Sequence, residues 1–332
     1  MPRPHHCPPA CLQGRVFTTA EGEAAGVSKR QLSGQEYCSW GKGLWSCVES
    51  RPDPRSRSGL LRILPVLQQE GWAASHTTAA ILLGFRLPGR LEHAGGIHLS
   101  SSTGSRPRGR GVVGHRGQFR AEDLCSEGSV RLTSPARTLL DLAASTDGRG
   151  RHLLTHRQLV AVVDGVICEH RTGISRGAPA LRSLSDLSAD LERFESHRGI
   201  RRVREALRHS LVGVDSPLET YARLVLEEHR MTGWDADVEI RAPGGRRVNP
   251  DLADRRHRLA VQVDGAVHED PRQRFRDVER QRATEAAGWT ELRVVHTDLD
   301  VVDPTDPTCE PRIVTLVRAH RQAFRAREIR GA

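Results

Sequence analysis

The chain has 332 residues, enough for two or three domains with ordinary cores, and carries a formal net charge of +9. Lysine stands only at Lys29 and Lys42, so the positive charge is nearly all arginine, whose guanidinium groups bind phosphate bidentately and incline the protein toward nucleic acid. No apolar run reaches membrane-spanning length, no signal-peptide core opens the chain, and seven irregularly spaced cysteines exclude a paired disulfide framework, so a cytoplasmic protein with no membrane partner is expected. An arginine excess with much Ala, Gly and Val also follows from GC-rich coding, and charge alone does not choose.

Residues 1–16 read as a disordered tail; His5, His6, Cys7 and Cys11 belong to it, lacking a second ligand pair at zinc-finger spacing. Residues 17–58 suggest a winged helix-turn-helix. Thr19 caps a short helix through Ala25, and Gly26-Val27-Ser28 turns into Lys29-Arg30-Gln31-Leu32. A glycine turn, a serine cap and a basic helical start are how many recognition helices begin, which makes Lys29 and Arg30 candidate nucleic-acid contacts. Leu44–Val48 supplies a wing strand. The alternative is a three-helix cap that touches no DNA.

Arg51–Ser58 has the proline, serine and charge of a linker. Residues 59–168 form a small mixed α/β region. A helix runs from Leu60 to Gln69, a second from Ser75 to its glycine stop at Gly84, and strands lie around Ile97–Ser100 and Gly111–His115. Arg131–Thr133 ends a strand before Ser134-Pro135 caps a helix. His76 and His115 have no nucleophile with an orienting partner, so packing or capping is their expected role. Asp141 faces solvent or pairs with Arg137 at i,i+4 spacing. These segments, with S-H-x-x-A-A at Ser75–Ala80 and T-S-P-A-R-T-L-L-D-L at Thr133–Leu142, resemble the AbiEi-type antitoxin and transcriptional-regulator family. The resemblance implies a winged helix ahead of a small mixed domain.

A helix over Leu153–Ile167 follows. Residues 169–213 then read as a linker with basic helices, in which Arg201, Arg204 and Arg208 share either a solvated face or a phosphate-contacting one. Residues 214–332 form the C-terminal domain. Ser216-Pro217-Leu218-Glu219 is a capping box, strands are expected at 237–241, 246–252 and 259–264, a basic helix covers Arg272–Ala287, and a last strand spans Glu291–Val295. Arg272, Arg276 and Arg280 fall at i, i+4 and i+8, a stripe able to track a phosphate backbone.

The organising stretch runs from Asn249-Pro250-Asp251 through an Arg255–Arg258 turn to Leu259–Gly265. Gln262 and Asp264 sit at i and i+2 of one strand and share a face, and the turn folds them back toward Asp251. Two carboxylates and an amide at adjacent strand ends suit a hard divalent cation such as Mg²⁺ or Mn²⁺, and a surface hairpin is the bland alternative. The stretch resembles the PD-(D/E)XK nuclease superfamily, and within it domains related to very-short-patch-repair (Vsr) endonucleases. Asp251 matches the PD aspartate, Gln262-Val263-Asp264 the (D/E)-x-K element, and Asp264-Gly265-Ala266-Val267-His268 the D-G-x-x-H run. Gln262 stands where glutamate is usual, and no lysine follows it.

The resemblance implies a restriction-endonuclease-like αβββαβ domain within an α+β/α/β multidomain chain. It also implies metal ligation by Asp251 and Asp264, with Gln262 beside them. His268 is a candidate general base or a helix-opening residue; Glu219 is a further site carboxylate or simply a cap. The expected function is a Mg²⁺-dependent DNA endonuclease in a defence, repair or toxin-antitoxin-like setting. Its candidate partners are DNA, a second copy of the chain and a toxin or antitoxin protein. The alternative is a catalytically impaired nuclease-fold regulator that only binds DNA; a third reading is an interaction protein without a nucleic-acid partner.

Overall fold

Mixed α/β structure runs through the chain, whose contacts divide it into two units: Met1–Leu153 with Ser196–Gly199, and Leu154–Glu195 with Ile200–Ala332. The structure is a computed structural model and describes residues 7–41, 43–93, 96–170, 177–265, 271–301 and 309–331. No described helix is long and apolar enough to cross a membrane.

The tail expected over residues 1–16 is corrected from residue 7 onward. Ala10–Leu12 makes a 3-10 turn, Leu12 is buried with Phe17, Val27 and Leu32, and Val16 enters the larger core of the first unit. Two buried aliphatic side chains outweigh the local proline content. His5, His6 and Lys42 lie outside the described residues. Strand β1 (Phe17–Thr18) leads into a helix at Thr19–Ala24 capped by Thr18, one residue earlier than expected, with Glu21 closing the capping box. Gly22 is tolerated inside this helix because a Cβ there would stand 3.3 Å from Phe17 and 3.4 Å from Leu32. Ser28 caps the helix Lys29–Leu32 as expected, and Lys29 and Arg30 are exposed on it. β2 (Tyr37–Gly41) and β3 (Leu44–Cys47) complete an antiparallel sheet of order β1-β3-β2.

The expected linker yields its last residues to a helix, Arg57–Leu67, because the Ser56 hydroxyl accepts the Gly59 N–H at 3.0 Å. Next come β4 (Trp72–Ala74), the helix His76–Leu83 closed by left-handed Gly84, β5 (Ile97–Ser101) and β6 (Val112–Arg116). β7 (Leu124–Glu127) and β8 (Val130–Thr133) precede the Ser134-capped helix Pro135–Ala144. The sheet order is β6-β5-β4-β8-β7, with β5/β6 and β4/β8 parallel. Leu60, Ile63 and Leu64 pack with Trp72, Ile97 and Leu99 in the core of this layer.

In the second unit the helices His156–Ile167 and Pro217–Glu228 are joined by one buried carboxylate. Asp164 accepts the Leu211 N–H (2.8 Å), the Thr220 hydroxyl (2.8 Å) and Arg223 Nη2 (3.1 Å). Burial raises the Asp164 pKa while Arg223 pulls it down. The meander expected over 237–264 separates into two sheets. Among the described residues β9 (Ile240–Arg241) and β10 (Arg247–Val248) pair only with each other, and Pro250, just past β10, has no N–H with which to continue a ladder. β11 (Leu252–Asp254) pairs antiparallel with β12 (Leu259–Asp264), which pairs parallel with β13 (Thr290–Val295). A parallel pair needs a crossover, and the helix Pro271–Ala286 provides it. The expected Arg255–Arg258 turn is braced by Asp254, which accepts the His257 N–H at 3.1 Å and Arg321 Nε at 2.8 Å. Arg321 belongs to the final helix, Arg312–Gly331, which sequence reading did not anticipate; its Ile313, Val314 and Val317 join the core under β11 and β12.

Candidate functional site

The acidic cluster of the second unit is assembled from a helix, a strand end and the residues just ahead of β11. Ser216 Oγ accepts the Glu219 N–H at 3.2 Å, and Glu219 Oε2 accepts the Asp215 N–H at 2.8 Å, so Glu219 does cap its helix. It is also buried and near enough to Asp251 for its charge to raise that carboxyl's pKa. The capping and site readings of Glu219 describe one side chain.

Asp251 lies where β10 has ended and β11 has not begun. Its Oδ2 accepts the Val263 N–H at 2.7 Å, and the Gln262 amide donates to the Asn249 carbonyl at 3.3 Å. Two bonds from β12 thus fix the Asn249-Pro250-Asp251 corner. Burial first, then the charge of Glu219, push the Asp251 carboxyl up to about 7; Asp264 adds to the rise, while the Val263 N–H and Arg280 oppose it. Asp251, Glu219 and Asp264 therefore share one electrostatic neighbourhood, as the sequence suggested. Gln262 is buried beside them with its amide nitrogen already engaged.

Asp264, at the end of β12, is held by Arg293 of β13, whose Nε stands 3.2 Å from Asp264 Oδ2 and whose Nη2 stands 2.8 Å from Asp277. Arg280 Nη2 approaches Asp277 at 3.4 Å and Nε approaches the buried Glu291 at 3.8 Å. Neither nitrogen has a hydrogen-bond partner among the described residues. Arg280 thus turns into the cluster rather than lining an outward stripe, because Asp277, Glu291 and Asp251 attract it. Arg276 is exposed on the same helix; His268 and the side chain of Arg272 lie outside the described residues. Among the described side chains, Asp264, Asp277 and Glu291 pair with the guanidinium groups of Arg280 and Arg293, and Arg280 also acts on the Asp251 carboxyl. The neighbourhood is net acidic, and its carboxylate oxygens are the hard donors that Mg²⁺ or Mn²⁺ takes.

Among the described residues, two trios of His, Cys, Asp or Glu bring their donor atoms within 4.8 Å of one another, and this acidic cluster is not one of them. One trio is Cys168, His170 and Asp215. His170 Nδ1 lies 2.7 Å and Cys168 Sγ 3.3 Å from Asp215 Oδ1. Sequence reading passed over it, although the C-x-H spacing was visible. The other is His76, His98 and His115; His98 was not singled out from the sequence, and β5–β6 pairing brings it in. No protein-family model, curated protein or solved structure matches the chain. The fold and site define a mixed α/β protein with a half-buried acidic cluster at a strand end.

Proposed function

We propose that the second unit is a nuclease-like module that binds DNA and hydrolyses a phosphodiester with a divalent cation at Asp251. In this reading it is a Vsr-related, restriction-endonuclease-like domain behind a winged-helix-like N-terminal segment. The observation that carries the reading is the Asp251 carboxyl, raised to about 7 by burial and by Glu219. A like-charge carboxylate group in a half-buried corner is a poor arrangement for a bare protein and a good one for a cation. Asp251 and Glu219 would hold Mg²⁺ or Mn²⁺, with Asp264 as the further carboxylate. When bound, the ion polarises a phosphoryl oxygen and lowers the pKa of a water.

The protein's own residues do the rest. The Val263 N–H fixes the Asp251 carboxylate, Gln262 fixes the corner that carries it, and exposed Arg276 offers a phosphate contact. His268 remains the candidate base by resemblance alone.

Incubation of the full chain with supercoiled plasmid and Mg²⁺ or Mn²⁺ tests this. Metal-dependent nicking that disappears in Asp251→Ala is the expected result, and intact plasmid under both metals refutes hydrolysis. The second reading, a DNA-binding regulator on an impaired nuclease scaffold, is favoured by the Arg293–Asp264 ion pair at 3.2 Å, which occupies the place of the missing lysine with a different contact. It predicts salt-sensitive DNA binding without cleavage.

A further inference from the structure

Three imidazoles meet in the first unit, and none of them belongs to the acidic cluster. His76 opens the helix His76–Leu83, His98 lies on β5 and His115 on β6. One ring nitrogen from each falls within 4.8 Å of the other two. His98 Nδ1 and His115 Nε2 share a hydrogen bond at 3.0 Å, and the His76 and His115 rings stack 3.7 Å apart. The parallel β5–β6 register, Ser100 opposite His115, is what draws a residue of each strand to this point. His76 is brought there at a cost: its φ is +52°, a region that side-chain-bearing residues seldom occupy.

A carboxylate completes the arrangement. Asp141 is buried, and its Oδ1 accepts Arg137 Nε at 3.0 Å. Its Oδ2 is buried, has no hydrogen-bond partner among the described residues, and stands 4.0 Å from His76 Nδ1. Buried carboxylate oxygens are normally satisfied, so an unpartnered one beside His76 needs a reason. Carboxylate oxygens behind ligating histidines are the usual means of orienting the ring at a metal centre.

We propose that His76, His98 and His115 bind one divalent transition-metal ion of the zinc class, with Asp141 as the positioning carboxylate for His76. Nitrogen donors select zinc, cobalt, nickel or copper over magnesium, which separates this site chemically from the oxygen-lined cluster of the second unit. Three histidines leave a fourth position open, as in sites where zinc binds water or a ligand, rather than the closed four-ligand set of a purely structural ion.

The test uses the full chain, stripped with EDTA and titrated with Co²⁺ as a visible probe, followed by Zn²⁺ displacement. With excess Mg²⁺ present to hold the oxygen-lined cluster, the expected result is one Co²⁺ per chain, with ligand-field bands of nitrogen and oxygen coordination, no thiolate charge-transfer band, and displacement by Zn²⁺. His98→Gln and His115→Gln should weaken binding at least about 100-fold, and Asp141→Asn about 10- to 100-fold. Asp251→Ala should leave the titration unchanged, so this outcome is independent of the nuclease reading. Melting each variant in EDTA establishes that it is folded; if one is not, the wild-type spectrum decides alone. Absence of saturable Co²⁺ binding overturns the proposal. So does a thiolate charge-transfer band at one ion per chain, which assigns the ion to Cys168, or unchanged affinity in a folded His98→Gln protein.

Discussion

Replacing Asp251 with asparagine should stabilise the metal-free protein at alkaline pH and abolish its response to Mn²⁺. The Asp251 carboxyl titrates at about 7 in the folded chain against an ordinary value of 3.8. The folded state therefore holds a proton that the unfolded state releases, so the stability this group contributes is fully present below pH 4 and is lost as pH rises through 7. A rise from 3.8 to about 7 corresponds to a ceiling of about 4 kcal/mol, and partial solvent access reduces this to about 1–3 kcal/mol. Asparagine removes the titration but keeps an oxygen for the Val263 N–H. In EDTA the variant should gain about 1–3 kcal/mol over the wild type at pH 8, and gain nothing at pH 4.

Manganese should reverse the order. At 100 times its dissociation constant a ligand adds about 2.7 kcal/mol to the state that binds it, and only the wild type should collect this. Urea unfolding followed by hydrogen exchange in peptides covering residues 249–264 reads the second unit separately from the first. A variant less stable than the wild type at pH 8 in EDTA would refute the reasoning, because the carboxylate would then be stabilised by its surroundings. So would a stability difference between variant and wild type that does not change between pH 4 and 8.

Arg293→Gln releases Asp264 from its ion pair, and calorimetric titration should show Mn²⁺ binding several-fold tighter, the equivalent of about 1 kcal/mol for a partly exposed pair; equal or weaker binding removes Asp264 from the ligand set. Asp164→Ala leaves buried Arg223 with Glu227 as its remaining ion-pair partner and strips acceptors from Leu211 and Thr220, so denaturation should report a loss of about 3 kcal/mol in the second unit. Arg276→Ala should lower the slope of log affinity against log salt for duplex DNA by about 1 without changing the fold, as measured by fluorescence anisotropy.

What the sequence showed of the site was its strand chemistry. The alternation in Leu259–Asp264 predicts β12, and a turn over Arg255–Arg258 predicts that Asp251 comes back beside it; both are local consequences of period and turn residues. The Asp264–Arg293 and Arg280–Glu291 contacts were not legible, because they depend on β12 and β13 pairing in parallel across a helix, a register that no local pattern specifies. Arg280 illustrates the limit. Helical spacing places it with Arg276, yet the carboxylates of β13 and the helix itself draw its guanidinium inward. The final helix was legible in part: Pro311 followed by Ile313, Val314 and Val317 is a helix start with an apolar face, hidden by the arginines around it.

The histidine trio shows the same limit from the other side. His76, His98 and His115 are separated by 22 and 17 residues, and each alone is better explained as a packed or capping side chain than as a ligand. Only the β5–β6 register, together with the left-handed turn at the head of the helix His76–Leu83, makes them neighbours. The acidic cluster and the imidazole cluster also differ in how they were assembled. Asp251, Gln262 and Asp264 lie within 14 residues of chain and are joined by one hairpin, so spacing alone could raise the question of a cation. The imidazoles come from one helix and two strands, so the same question arises only once the sheet order and the seat of that helix are known. Oxygen donors in the second unit and nitrogen donors in the first call for different ions. A titration in which Mg²⁺ and Zn²⁺ compete for a single site would therefore contradict both assignments together.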